Sequence, residues 1–151
     1  YLAEAHAHPQ ALYGSDARQR ARVLWLEKYA DYELAPHATF AIFRQRVLQP
    51  SVGQPCDEQI VRKALEERLP AHFDYLEKTL GSADYFVDNQ LSMADLAISC
   101  QLINLEHGGE HLDSQRWPQL ANLFARVKAR PSVQAVLPGE LRTLAKLSGK
   151  A

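Results

Sequence analysis

Apolar side chains recur every three or four residues along most of the chain, the spacing that places them on one face of an α-helix. The longest such stretch begins at Asp16, which has the spacing of a capping box with Gln19, and runs to about Val47. Pro36 predicts a kink just before it. Large apolar residues form one stripe and smaller ones a neighbouring stripe. The large stripe is Trp25, Tyr29, Tyr32, Pro36, Phe40, Phe43 and Val47, and the smaller one is Leu26, Ala30, Leu34, Ala38 and Ala41.

A second long helix is predicted from Asp57 and Glu58, whose negative charges favour a helix N-terminus, to about Leu80. Gly81 suits the position just after its end, and Pro70 predicts another kink. Because only a short loop separates the two long helices, we expect them to pack as an antiparallel hairpin. The predicted inner face of the second helix is Val61, Leu65, Leu69, Phe73, Leu76 and Leu80.

The segment from Leu91 to Leu96 predicts the start of a buried helix. Ser92 can accept from the backbone N–H of Asp95 while the Asp95 carboxylate reaches back to the N–H of Ser92, and Leu91 and Leu96 flank this box as a hydrophobic staple. The helix continues to about Leu105 and is apolar nearly all round, as expected at the centre of a domain. Ser92 and Asp95 resemble half of a catalytic pair. No histidine is locally placed to complete it, so we predict a structural cap and assign no catalytic residue.

Shorter helices are predicted in the last third of the chain. Pro118 takes the first position of one helix, and Pro131 begins another that runs through Val136. Pro138 is expected to end that helix, and a final amphipathic turn or two should follow before Leu147. No convincing strand is present. The predicted fold class is therefore all-α, a bundle of about five to six helices.

Composition narrows the possible functions. A chain of 151 residues favours one domain, and a net charge of −1 with dispersed charges argues against nucleic-acid or membrane-surface partners. No apolar run approaches the roughly 20 residues that span a bilayer. Of two cysteines, Cys100 is interpreted as a small buried side chain and Cys56 lies in a loop. A disulfide framework is not expected, and the default compartment is the cytoplasm.

The histidines raise the question of a metal site. His6 and His8 flank one alanine, and His107 and His111 have the spacing of a helical metal pair. The latter spacing needs a continuous helix, which Gly108 interrupts. Since no cysteine or carboxylate cluster completes four ligands, no metal site is predicted.

His37 is the other candidate for chemistry, because it lies among Tyr29, Tyr32, Glu33 and Phe40 on the first helix. It could act as a general base or polar contact in a pocket. The alternative, a hydrogen-bonded helix histidine near the kink, is favoured. The aromatic residues could line a pocket or fill the core, and their spacing does not separate these alternatives.

Four marks in order carry a family resemblance. They are the aromatic connector 85–90, the box at 92–95, the helix start Trp117-Pro118-Gln119-Leu120, and Ala129-Arg130-Pro131-Ser132-Val133. In this order and spacing the chain resembles the C-terminal all-helical domain of soluble, bacterial-type glutathione transferases, from about Leu12 to about Pro138. One departure is Asp88, where the family more often has glycine.

The resemblance implies a division of the chain. Residues 1–8 would be a remnant of the last helix of a thioredoxin-like domain, otherwise absent, and residues 9–15 a linker. Residues 16–138 would form the helical domain, and residues 139–151 a partly helical tail. The chain begins at Tyr1 and its single methionine is Met93, so we expect that a segment upstream is missing.

The resemblance also implies a function. The parent protein would conjugate the thiolate of glutathione, its co-substrate, to a small hydrophobic electrophile, and would be a homodimer. This chain would bind no cofactor alone and would not be catalytic alone. The alternative is a non-catalytic protein-interaction module, like those related to translation factors and stress regulators. The substrate wall that the resemblance implies comprises Tyr29, Tyr32, Glu33, His37 and Phe40.

Overall fold

The computed structural model describes residues 12–148, which form five helices. We number them α1 (17–51), α2 (58–80), α3 (Met93–His107), α4 (Pro118–Lys128) and α5 (Pro131–Leu147). Within residues 12–148 there is no β-strand apart from an isolated bridge between Val87 and Gln90. The all-α fold and the number of helices are as predicted. The expected remnant at 1–8, with His6 and His8, lies outside the described residues.

Both long helices contain π-helical segments, and each of these segments lies just before a proline. Pro36, Pro50 and Pro70 are the prolines concerned. A proline lacks the N–H donor and its ring collides with the carbonyl four residues earlier, so a wider turn accommodates it. In α1 the segments are Ala17–Tyr29, Ala30–Leu34 (π), Ala35–His37, Ala38–Leu48 (π) and Gln49–Ser51. In α2 they are Glu58–Lys63, Ala64–Arg68 (π) and Leu69–Leu80.

The smaller of the two apolar stripes on α1 faces the core. Leu26, Ala30, Leu34 and Ala38 are all buried, and with them Val23 and Ile42. Trp25, Tyr32 and Phe40 of the large stripe are 58%, 70% and 60% exposed. This aliphatic stripe packs against α3, whereas the three exposed aromatic side chains point outward. The alternative that Tyr32 and Phe40 fill the core is therefore wrong.

The α1–α2 pair is an antiparallel hairpin, as predicted. The segment Ala38–Leu48 contacts Glu58–Lys63, and Ala30–Leu34 contacts Leu69–Leu80. Arg46 ties the hairpin to the end of α3. Its Nε and Nη2 donate to the two carboxylate oxygens of Glu58 at 3.1 and 3.0 Å, and its Nη1 donates to the carbonyl oxygen of Gly108 at 3.1 Å.

Helix α3 is the central helix, packed between α1 and α4. Ile98, Leu102 and Leu105 on its core side are at most 2% exposed. Cys100 is exposed, so the prediction that it is a buried apolar residue is wrong. The apolar pattern of α3 does not distinguish the side that packs in the bundle from the side that lines an open groove.

The N-terminus of α4 is capped from another helix. Its own N-cap residue, Trp117, makes no side-chain hydrogen bond to the N–H groups of the helix start. Instead, the Glu77 carboxylate on α2 accepts from the N–H groups of Gln119 at 2.9 Å and Leu120 at 2.8 Å. Trp117 packs edge-on against Phe73, with ring centroids 5.0 Å apart. This combination fixes α4 on α2, because an anionic acceptor satisfies two free N–H groups at the helix start.

Helix α5 differs from the sequence prediction. The sequence predicts that Pro138 ends a helix, but Pro131–Leu147 is one continuous helix with Pro138 inside it. None of the residues described in α5 is buried. On such an exposed helix, water can reach the carbonyl that Pro138 cannot pair with, so the proline is tolerated.

Candidate functional site

The capping box at the start of α3 is fully buried and fully hydrogen-bonded. Asp95 is 0% exposed. The backbone N–H and the hydroxyl of Ser92 each donate to Oδ2 of Asp95 at 2.7 Å, and the N–H of Phe86 donates to Oδ1 at 2.9 Å. The box geometry therefore holds both the helix start and the connector before it.

The surroundings of Asp95 fit a structural role. Burial raises the pKa of its carboxyl group, and the hydrogen bonds from Phe86 and Ser92 act in the opposite direction. Leu91 is buried and Leu96 half-buried on either side of the box. Because the carboxylate oxygens already accept from protein donors and lie away from solvent, they have no route to a substrate.

The five residues predicted as a substrate wall do not form one surface. Tyr29 and His37 are half-buried against α2, while Tyr32, Glu33 and Phe40 are exposed. A shallow concavity of about 230 Å³ brings together some of them, and neither His37 nor Phe40 belongs to it. Its lining is Trp25, Lys28, Tyr29, Tyr32 and Glu33.

His37 and Tyr29 meet a partner that the sequence did not reveal, His72 on α2. The Tyr29 hydroxyl lies 2.8 Å from Nδ1 of His72, and the His37 and His72 rings stack with centroids 5.5 Å apart. Burial lowers the pKa of both histidines, and for His37 the neighbouring His72 and Arg68 lower it further. Burial also raises the pKa of Tyr29 to about 12. These side chains are engaged between α1 and α2.

A larger cavity, of about 650 Å³, is an open groove between α1, α3 and α5. Its walls are mostly apolar, which suits a hydrophobic small molecule. We call it the α5 groove. The groove has one free thiol, that of Cys100, on its α3 wall. The apolar lining residues are Phe43, Ile103, Val136, Leu144 and Leu147.

Polar side chains also line the α5 groove: Asn104 and His107 from α3, and Glu140 and Thr143 from α5. Nε2 of His107 lies 3.2 Å from Oε2 of Glu140.

This groove is not predicted from the sequence, because the sequence predicts a break in α5 at Pro138. The signal was present, since residues 136, 140, 144 and 147 keep helical spacing across that proline.

Two features are absent from residues 12–148: a group of side chains arranged to hold a metal ion, and a helix able to cross a membrane. These residues contain no group of three or more His, Cys, Asp or Glu side chains arranged to hold a metal ion. His107 and His111, which have the spacing of a helical metal pair, make separate contacts: His107 with Glu140, and His111 with Glu106 at 3.8 Å. In the same range, no helix is both long enough and apolar enough to cross a membrane.

The bundle with a capped central helix is the helical domain type of the glutathione transferases. The family model described as the C-terminal domain of glutathione S-transferase matches residues 46–138, more than half of the chain. The chain belongs to this family.

Individual relatives include enzymes and a translation factor. Glutathione S-transferase A3 of Mus musculus is 32% identical over 138 residues, covering 87% of this chain and 56% of that protein. Elongation factor 1-gamma of Carassius auratus is 28% identical over 140 residues, covering 91% of this chain and 30% of that protein. The crystal structure of a glutathione S-transferase from Rhodospirillum rubrum F11 matches with a TM-score of 0.78 at 26% identity, covering 88% of this chain and 59% of the other. The chain spans little more than half the length of these transferases.

Proposed function

We propose that this chain is the substrate-binding helical half of a glutathione transferase, and that the α5 groove binds the hydrophobic electrophile. The observation that carries the proposal is a groove of about 650 Å³ with mostly apolar walls on a domain of this family. Cavities of this size and lining are typical of small-molecule sites.

The proposed chemistry is divided between two domains. A thioredoxin-like domain would bind glutathione and favour its thiolate, the nucleophilic form, by lowering the thiol pKa. The helical residues would only hold the electrophile near that thiolate, which raises the rate by orienting the reactants. The chain alone would then bind an electrophile without turning it over. The intact parent would be a cytoplasmic homodimer.

The predicted wall of Tyr29, Tyr32, Glu33, His37 and Phe40 stays a proposal of second rank. Tyr29 and His37 contact α2, and the remaining three are exposed on α1. We therefore assign the electrophile to the α5 groove and treat Tyr32 as the comparison position on α1.

The experiment is a titration of this chain with chlorodinitrobenzene, a small hydrophobic electrophile, followed by NMR. Binding should shift the amide signals of Ile103 and Leu144, and Ile103→Glu should abolish those shifts. Leu141→Glu is the matched control, because Leu141 lies on α5 but does not line the groove. Shifts confined to residues around Tyr32 would move the site to α1, and the absence of any binding would overturn the proposal.

A turnover assay tests whether this chain binds the electrophile without catalysing conjugation. With glutathione and chlorodinitrobenzene, this chain should give no conjugation above the uncatalysed rate. Measurable turnover would mean that the helical residues activate the thiol themselves.

The second candidate function is a non-catalytic interaction module. The match to elongation factor 1-gamma over 91% of this chain favours it. The two candidates differ in the domain that accompanies this chain in its gene. A thioredoxin-like pattern with an activating Tyr, Ser or Cys would favour the enzyme, and a neighbouring domain without one would favour the module.

A further inference from the structure

We propose that the α5 groove selects apolar molecules that carry a hydrogen-bond donor or a positive charge at one end, such as an arylalkyl amine. This inference rests on the proposed function, because it concerns the same groove. It rests on side-chain oxygen atoms in the groove that are free to accept hydrogen bonds.

Asn104 presents an acceptor. Its amide nitrogen donates to Oγ1 of Thr39 at 2.7 Å, and the Thr39 hydroxyl in turn donates to Oε1 of Gln101 at 2.7 Å. This chain of bonds directs the amide nitrogen of Asn104 toward α1. Its Oδ1 accepts no hydrogen bond from the described residues, so it can accept one from a ligand.

Thr143 presents a second acceptor. Its hydroxyl donates to the carbonyl oxygen of Gly139 at 3.0 Å, one turn earlier in α5. A hydroxyl has one proton and two lone pairs, so this bond uses its donor and leaves its oxygen able to accept.

Glu140 is the strongest of the three, because an ionised carboxylate only accepts. One of its oxygens lies near Nε2 of His107, and the side chain is 43% exposed. Arg142 and Lys146 on the same helix are exposed and do not line the groove. Glu140 and Cys100 line the same groove, and the negative charge of Glu140 adds to desolvation in raising the pKa of the Cys100 thiol.

The groove thus combines apolar walls with three acceptors, on Asn104, Glu140 and Thr143. A ligand ammonium or N–H group would form charge-assisted hydrogen bonds there. A ligand carboxylate would meet another carboxylate and leave acceptors unpaired, which costs binding free energy. The groove therefore discriminates by the charge of the ligand end.

The experiment compares three probes with a common apolar part: phenylbutylamine, butylbenzene and phenylbutyrate. Dissociation constants are measured by NMR titration of the full chain at neutral pH. We expect the amine to bind about five- to tenfold more tightly than the carboxylate, as one partly exposed ion pair allows, with butylbenzene between them. Glu140→Gln should remove most of that difference.

Glu67→Gln is the matched control, since Glu67 is exposed on α2 and outside the groove. It changes the net charge equally and should keep the preference for the amine. Equal binding of all three probes, or a preference that persists in Glu140→Gln, would overturn the inference and leave the proposed function intact. If butylbenzene and both charged probes fail to bind, the groove is not a small-molecule site and the proposed function falls as well.

Discussion

The two sides of α3 have similar apolar spacing but different surroundings: one side packs in the core and the other lines an open groove. On the core side, Asp95, Ile98 and Leu102 are at most 1% exposed, and the Asp95 carboxylate accepts hydrogen bonds from Phe86 and Ser92. On the groove side, Cys100 is exposed and Asn104 retains a free acceptor among the described residues. One side supplies stability and the other leaves surface for binding, although both have helical apolar spacing.

A large difference in stability loss is expected between two isoleucines on α3, one in the core and one in the groove. Ile98→Ala should lower the free energy of unfolding by about 3 kcal/mol, because it leaves a cavity in a close-packed core. Ile103→Ala should cost about 1 kcal/mol, since the groove already exposes part of that side chain. Chemical denaturation of both variants measures the difference, and equal losses would contradict the two-sided description of α3.

Removing the buried carboxylate is the next largest effect. Asp95→Ala should cost about 2 kcal/mol, because it strands the N–H groups of Phe86 and Ser92 in the interior. Asp31→Ala is the control, since Asp31 forms an exposed ion pair with Lys28 and should cost less than about 1 kcal/mol. An unchanged unfolding midpoint in Asp95→Ala would refute the structural role of the box.

A pH effect is expected outside α3, at the contact between α1 and α2. Burial lowers the native pKa of His37 and His72, so the unfolded chain binds more protons and stability falls as the pH drops. The loss begins near the ordinary histidine pKa of about 6.5 and is complete below the lowered native values. Denaturation between about pH 7.5 and about pH 5.5 measures it.

Replacing both histidines with glutamine should reduce that slope. His111→Gln is the control, because the His111 side chain is 76% exposed, and it should leave the slope unchanged. If the double variant keeps the pH dependence of the unsubstituted chain, the titrating groups lie elsewhere.

The smallest effect is expected on the exposed stripe of α1. Phe40→Ala should change the free energy of unfolding by no more than about 0.5 kcal/mol, since Phe40 is 60% exposed. Phe73→Ala, at a position 4% exposed, should cost about 3 kcal/mol or more. A large loss in Phe40→Ala would mean that this side chain has a packing partner.

The features compared above differ in how far they could be predicted from the sequence. The box at Ser92 and Asp95 could be located from sequence because its parts lie within one helical turn. Burial on α1 could not, because the choice between two adjacent stripes depends on which of them packs against α3. The break expected at Pro138 was wrong for a related reason: a local helix breaker is tolerated where the surrounding surface is wet.

The site was harder to predict than the fold because its parts are distant in sequence. His72 is 43 residues from Tyr29, and Glu140 is 33 residues from His107. No local pattern specifies such pairs. The wall assigned to Tyr29, Tyr32, Glu33, His37 and Phe40 stays a prediction, and the α5 groove required the positions of three helices.

The hydrogen bond from Phe86 to Asp95 has a consequence for amide exchange with solvent deuterium. A surface connector normally opens by local fluctuation and exchanges fast. Here, release of the Phe86 N–H would leave a buried carboxylate oxygen without its donor. Its exchange rate should therefore follow the global unfolding of the bundle, which makes one loop amide a reporter of the stability of the whole chain.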